Sequence, residues 1–475
     1  MGFLDIWARF ISRIKTQNLP LGLKFDRNWA FGFVIGSSFF ISSASLALLY
    51  ITNWRKRISL AVPKRPIELR RDEILDGVTA LIGNTPLVRI KSLSELTGCE
   101  ILGKAEYLNP GGSPKDRVAL RIIEQAEEDG LIHPHTGSTI FEGTVGSTGI
   151  SIATVAKAKG HNACIIMPDD VAAEKSQILE KLGAQVIKVR PVSIVSTQHF
   201  VNIARQKALD YGQTEIVGPA ATVGSNRHED QVKRDDLVIT SKATHKEANH
   251  KRTSSFEDFF REKPRGLFAD QFENLANYEA HYYGTGPETW RQTNGSVDAF
   301  VAGAGTGGTL AGTGTFLKEA NKNIKLVLAD PQGSGLYHKI KNGVMYSSTE
   351  AEGTRRRYQV DTVVEGIGIN RITANFEKGL DLVDDAIKVT DLEAVIMSRH
   401  LVEHDGLFLG SSSAVNLVAA CRYAKRYQAW EGKKTVVTIL CDSGSRHYSK
   451  FWSDEYLREN KILPDGPLPS LESIL

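Results

Sequence analysis

Short apolar runs alternate with amphipathic stretches over most of the chain beyond residue 75. The run Ala163–Pro168 reads as a strand and Ala172–Leu182 after it as a helix, a succession that favours parallel sheets. The run ending at Ala302 reads as another strand, leading through a glycine loop into a helix over about 312–322. A similar junction opens a helix over 150–159, and another strand-to-helix junction is expected at Gly410–Ala414. Two stretches break the alternation. Trp29 to Ile51 runs 23 positions without a charge, about 34 Å at 1.5 Å per helical residue, enough to span a bilayer core. Residues 225–264 are polar with little periodicity, and read as a surface insertion, with a lid or partner-binding role as the alternative.

Charge sharpens the picture of the front. Through Arg71 the chain carries 12 Lys and Arg against 3 Asp and Glu, and the remainder carries 46 against 52. Residues 1–28 form a basic amphipathic leader of mitochondrial character, 29–51 a transmembrane helix with Trp29, Tyr50 and Trp54 at its ends, and 52–74 a basic linker. The cluster Arg55-Lys56-Arg57 just past the span places the rest of the chain in the cytosol. A single-pass signal anchor in the mitochondrial outer membrane fits this pattern better than its alternative, a cleaved matrix presequence, and a buried core helix is the bland reading of the span. The mildly acidic remainder speaks against nucleic-acid binding. Four cysteines without a C-x-x-C give neither a zinc nor a haem site. The region 75–470 is long enough for two α/β units with a ligand between them.

Chemistry concentrates at the glycine loops. Lys115 follows a Pro-Gly-Gly turn, and Ser113-Pro114 before it resembles a helix N-cap followed by proline. The positive end of a helix dipole favours a neutral amine there, which is what a lysine needs to form a Schiff base. Gly303-Ala304-Gly305-Thr306-Gly307-Gly308-Thr309 lies between a strand and a helix, and presents backbone N–H groups and two hydroxyls to an anion. Gly303, Gly305 and Gly308 also fit a dinucleotide fingerprint, with Asp330 at a suitable distance onward. The threonines suit one phosphate monoester instead. Thr144-Val145-Gly146-Ser147-Thr148-Gly149 opens another helix and suits a carboxylate.

Taken together, residues 82–457 resemble the fold type II pyridoxal-phosphate enzymes, and among them the cysteine synthase and cystathionine β-synthase family. Ile82–Val88 resembles the opening signature, Asn109–Ala119 the Schiff-base lysine motif, and Gly305–Thr309 the phosphate cradle. Gln271–Asn274 with Thr285–Glu288, Ser412, and Cys441–Tyr448 resemble the remaining signatures in collinear order. The resemblance implies a two-domain α/β fold of the tryptophan synthase β type, with a small mobile domain over about 117–220, and a homodimer. It implies pyridoxal 5′-phosphate held by Lys115, Ser147, Gly305, Thr306, Gly307, Gly308, Thr309 and Ser412. Thr144, Val145, Gly146, Thr148 and Gln271 would bind substrate. Pro114-Lys115-Asp116-Arg117 resembles the β-replacement branch, implying O-acetylserine and sulfide as substrates, an aminoacrylate intermediate, and cysteine and acetate as products.

The substrate loop departs from the family pattern Thr-Ser-Gly-Asn-Thr-Gly. Val145 lacks a hydroxyl, and Ser147 replaces an asparagine that bonds the cofactor's 3′-oxygen. One such contact is worth about 0.5–1.5 kcal/mol. β-Elimination of the dehydratase or desulfhydrase type, and a membrane-tethered cofactor-binding protein with little catalysis, are the competing expectations.

Overall fold

The computed structural model describes residues 74–211, 264–346, 362–426 and 434–475, together with the backbone of two strands, 214–217 and 238–241. The leader 1–28, the apolar segment 29–51 and nearly all of the linker 52–74 lie outside the described residues. So does most of the polar stretch 225–264. Among the described residues no helix is long and apolar enough to cross a membrane.

In chain order the strands are β1 (Leu87–Arg89), β2 (Glu100–Ala105), β3 (Thr139–Gly143), β4 (Asn162–Pro168), β5 (Gln185–Val189), β6 (Thr214–Val217), β7 (Val238–Ser241), β8 (Gly266–Phe268), β9 (Ala299–Gly303), β10 (Lys325–Pro331), β11 (Asp385–Val389) and β12 (Thr435–Leu440). One sheet has the order β1-β2-β12-β9-β10-β11, parallel except for β1 against β2. A second sheet, β5-β4-β3-β8, is parallel throughout. Strand β8 lies beyond the expected 117–220 span, so the smaller sheet is completed by chain from after the polar stretch. Within that stretch, β7 pairs antiparallel with β6 rather than forming loop throughout.

Parallel strands buried on both faces read as continuous apolar runs. In β9, Ala299 and Val301 join one core with Val327, Ala329 and Val415, while Phe300 and Ala302 join another with Leu310, Leu326 and Leu328. This alternation is the two-residue period of a strand. In the smaller sheet Ile140, Ile165 and Met167 face one core, and Phe141, Cys164 and Ile166 the other.

The helices that carry the site are α1 (Lys115–Glu128), α2 (Ser147–Ala158), α3 (Ala173–Lys181), α4 (Gly286–Gln292), α5 (Gly308–Ala320) and α6 (Ser411–Arg426). Helices α2 and α5 begin three and four residues before the expected 150 and 312, because the glycines there are themselves helical. The junction at Gly410 is not preceded by a strand. Leu409 makes an isolated bridge to Ser443 before α6 begins. The loops after β2, β3, β9 and β12 all leave the carboxyl ends of parallel strands, where open α/β sheets bind their ligands.

Candidate active site

These loops meet at a cavity of about 760 Å3. Lys115, Thr144, Val145, Ser147, Thr148, Gln271, Gly305, Thr306, Gly307, Thr309 and Ser412 all line it. Of the residues singled out from sequence, Gly146 and Gly308 do not. Both stand at helix starts behind the lining, and the N–H of Gly146 donates to Thr144 Oγ1 at 3.2 Å.

Lys115 opens α1. The Ser113 hydroxyl accepts from its backbone N–H at 3.2 Å, so Ser113 caps the helix although Pro114 is the last residue before it. The ammonium of Lys115 donates to Thr306 Oγ1 at 3.2 Å. Burial pulls its pKa down to about 8, so desolvation favours a readily neutralised amine. The turn before it is fastened at both sides. Gly111 donates its N–H to Asp116 and accepts from Arg446, which reaches over from the 3-10 turn Gly444–His447.

Beneath the lysine lies a buried ionic tetrad. Glu288 of α4 accepts from Lys104 Nζ at 2.6 Å and from Arg117 Nη1 and Nη2 at 2.6 and 2.8 Å. Arg117 also donates to Glu106 at 2.8 Å, and Thr85 Oγ1 donates to Glu106 at 2.7 Å. The Asn84 N–H donates to Glu288 at 3.0 Å. Three stretches far apart in sequence, 84–85, 104–117 and 288, are thus pinned together directly under α1.

The cradle follows β9. Gly307 has φ 81°, and a Cβ there would approach Phe376 Cα to 2.7 Å. A Cβ on Gly308 would lie 2.7 Å from Asn277 Cγ. The loop therefore has room for an anion on one side and none for side chains on the other. Asn277 Nδ2 donates to Thr306 Oγ1 at 2.8 Å, and Thr373 Oγ1 donates to the Thr306 carbonyl at 2.7 Å. Hydroxyls, free N–H groups at the start of α5 and a nearby lysine match a phosphate monoester beside an aldehyde, so the residues fit pyridoxal phosphate. Asp330 does not line the cavity. Its carboxylate accepts from the Tyr337 N–H at 2.7 Å, and burial lifts its pKa to about 6. It is therefore unavailable to a ribose, which removes the dinucleotide alternative.

The substrate loop sits opposite. Thr148 Oγ1 donates to Gln271 Oε1 at 2.5 Å, and Gln271 Nε2 donates to the buried Glu142 at 3.3 Å. Val145 packs against the cluster containing Phe200 and Phe268. Ser147 donates to Asp442 at 3.4 Å, and His447 Nε2 lies 3.0 Å from the same carboxylate oxygen. Burial would raise the Asp442 pKa, but His447 overcomes it and holds the group below its ordinary value. Ser412 lines the cavity at the start of α6, near the Cys441 thiol, whose pKa burial pushes up to about 12 and which accepts from Asn416 Nδ2 at 3.6 Å.

Sequence reasoning missed Glu142, Asn277, His281, Thr373 and Asp442. Asn277 stands six residues after Gln271, and Asp442 falls within the Cys441–Tyr448 signature, but neither is assigned a role by sequence; Glu142, His281 and Thr373 carry no local pattern.

Two sheets meeting at a lysine, a glycine–threonine cradle and a carboxylate loop define a pyridoxal-phosphate enzyme. The family described as pyridoxal-phosphate dependent enzyme matches residues 78–442, and the chain belongs to it. Its relatives narrow the class. Cysteine synthase 2 of Neurospora crassa is 56% identical over 382 residues, covering 80% of this chain and 73% of that one. Cysteine synthase 2 of Schizosaccharomyces pombe is 50% identical over 396 residues, covering 83% and 88%. A Saccharomyces cerevisiae protein, 47% identical over 380 residues and covering 80% and 84%, has a name ending in "mitochondrial cysteine synthase".

Proposed function

We propose that this protein is a pyridoxal-phosphate-dependent cysteine synthase, replacing the acetate of O-acetyl-L-serine by sulfide. The carrying observation is the convergence of Lys115, the Gly305–Thr309 cradle and the Thr144–Thr148 loop on one cavity, in a chain of the matching family. The bound cofactor supplies an aldehyde and an electron-withdrawing ring that acidify the α-proton of an amino acid. Lys115 would hold the cofactor through its Nζ, and the same nitrogen would accept the α-proton of the substrate. With its pKa at about 8, it is neutral in about a tenth of molecules at pH 7 and in about half at pH 8. Thr306, Gly307, Gly308 and Thr309 hold the phosphate, and Ser412 offers the ring nitrogen a neutral hydroxyl. Ser147, fixed by Asp442, occupies the place of the family's asparagine.

The substrate carboxylate is held by the start of α2, with Thr144, Thr148 and Gln271 around it, Gly146 behind them bracing Thr144 through its N–H, and Val145 as an apolar wall. At the β-carbon the bond to the acetate oxygen breaks, the pair leaving with acetate; hydrosulfide supplies the pair for the new carbon–sulfur bond, and Lys115 Nζ returns its proton to the α-carbon. The protein works as a homodimer. It is anchored in the mitochondrial outer membrane by residues 29–51 with the catalytic region in the cytosol. The uncharged span, its basic flanks and the name of the yeast relative support this placement.

The test is addition of O-acetylserine and then sulfide to the full chain carrying its cofactor. A change in the visible spectrum, reversed by sulfide with release of cysteine and acetate, is expected. Pyruvate and ammonia as the main products, or a spectrum indifferent to O-acetylserine, would overturn the assignment.

A further inference from the structure

A bound phosphate ester is an acceptor-only group, so each cradle hydroxyl must turn its proton inward to hold it. Thr306 is prepared for this. Asn277 Nδ2 at 2.8 Å and Lys115 Nζ at 3.2 Å donate to its oxygen, leaving its own proton free. Thr309 instead meets an imidazole, His281 Nε2, at 3.1 Å. His281 is fully buried on the single π-helical turn His281–Thr285, and its Nδ1 lies 2.9 Å from Thr285 Oγ1.

A neutral imidazole has one N–H and one lone pair, so two arrangements satisfy both contacts. With the proton on Nδ1, the ring donates to Thr285 and accepts from Thr309, whose proton then points away from the cradle. With the proton on Nε2, the ring accepts from Thr285 and donates to Thr309. The Thr309 proton is then free to turn towards the phosphate. Only the second arrangement lets Thr309 donate into the cradle.

We propose that His281 is a positioning residue for the cofactor phosphate, acting as the Nε2–H tautomer with Thr285 donating to its Nδ1, so that Thr309 is a hydrogen-bond donor into the cradle. The inference rests on the reading of this cavity as a pyridoxal-phosphate site. Burial drives the His281 pKa down to about 3, so the ring keeps its single proton across the physiological range. The relay ends on the helix that carries Glu288, since Thr285 immediately precedes α4.

The test compares two ligands that differ only by the phosphate. The full chain is stripped of cofactor with hydroxylamine and titrated with pyridoxal phosphate and, separately, with pyridoxal, following absorbance. In His281→Phe the dissociation constant for pyridoxal phosphate should rise roughly 3- to 10-fold, the size of one lost hydrogen bond. That for pyridoxal should stay unchanged. His281→Gln, which keeps an amide donor, should recover most of the loss. Thr285→Val, which leaves the histidine in place, should show the same phosphate-selective weakening should His281→Phe fail to fold. Equal weakening towards both ligands would make His281 structural only, and no weakening towards either would remove it from the site. If the unaltered chain failed to bind pyridoxal phosphate at all, the reading of the cavity would fall first and the proposal with it.

Discussion

Replacing Glu288 by Gln removes one charge from a sealed group of two cations and two anions. The carboxylate takes four hydrogen bonds, from Lys104, twice from Arg117 and from the Asn84 N–H, at 2.6 to 3.0 Å. An amide keeps the shape but turns two of its own protons towards the cationic donors. Lys104 is fully buried and Arg117 nearly so, so neither can recover its lost partner from water. Breaking a buried pair on one side costs about 3–5 kcal/mol, a large part of a typical total of about 5–15 kcal/mol.

Urea unfolding of the full chain, followed by tryptophan fluorescence, measures this loss, with Trp290 on the same helix as the altered residue. Lys104→Met alone should also destabilise. The double variant Lys104→Met/Glu288→Gln should do better than the sum by about 1–3 kcal/mol, because Arg117 and Glu106 remain as a neutral pair. The pH dependence has a definite sign. Burial raises the Glu288 pKa, but Arg117 and Lys104 outweigh it, leaving the group below its ordinary value. Its contribution is therefore complete above the ordinary carboxylate range and lost as the pH falls through the folded value. Glu288→Gln should flatten that acid limb. A loss below about 1 kcal/mol, or strict additivity in the double variant, would refute the account of the tetrad.

Three other outcomes test the site. Gly308→Ala puts a methyl against Asn277, so it should weaken pyridoxal-phosphate binding by tenfold or more while leaving the thermal transition of the cofactor-free chain within a few degrees; an unchanged cofactor affinity would contradict the cradle geometry. Capture of pyridoxal phosphate by the stripped chain needs the neutral amine of Lys115, so its rate should climb with pH through about 8 and level off above it. Lys115→Ala should lose both the visible band and turnover, and a band persisting in that variant would assign the covalent attachment to another lysine.

The fold class was legible because parallel strands buried on both faces appear as apolar runs, and because glycine loops mark the strand ends where the chain must approach an anion closely. The lysine turn, the cradle and the substrate loop were each visible for that local reason. Helix starts were placed three and four residues late, at 150 and 312, because Gly149 and Gly308 are themselves helical. The pairing partners were not legible. Nothing near Thr309 in sequence points to His281, and nothing near Ser147 points to Asp442, 295 residues away. The same is true of Lys104 and Glu288, separated by 184 residues. Local sequence determined which turns could hold an anion, since that depends on φ, on a missing Cβ and on neighbouring hydroxyls. The tertiary structure decided which charges are sealed from water and which hydroxyls are left free to donate, because burial and proton direction are set by contacts that only folding brings together.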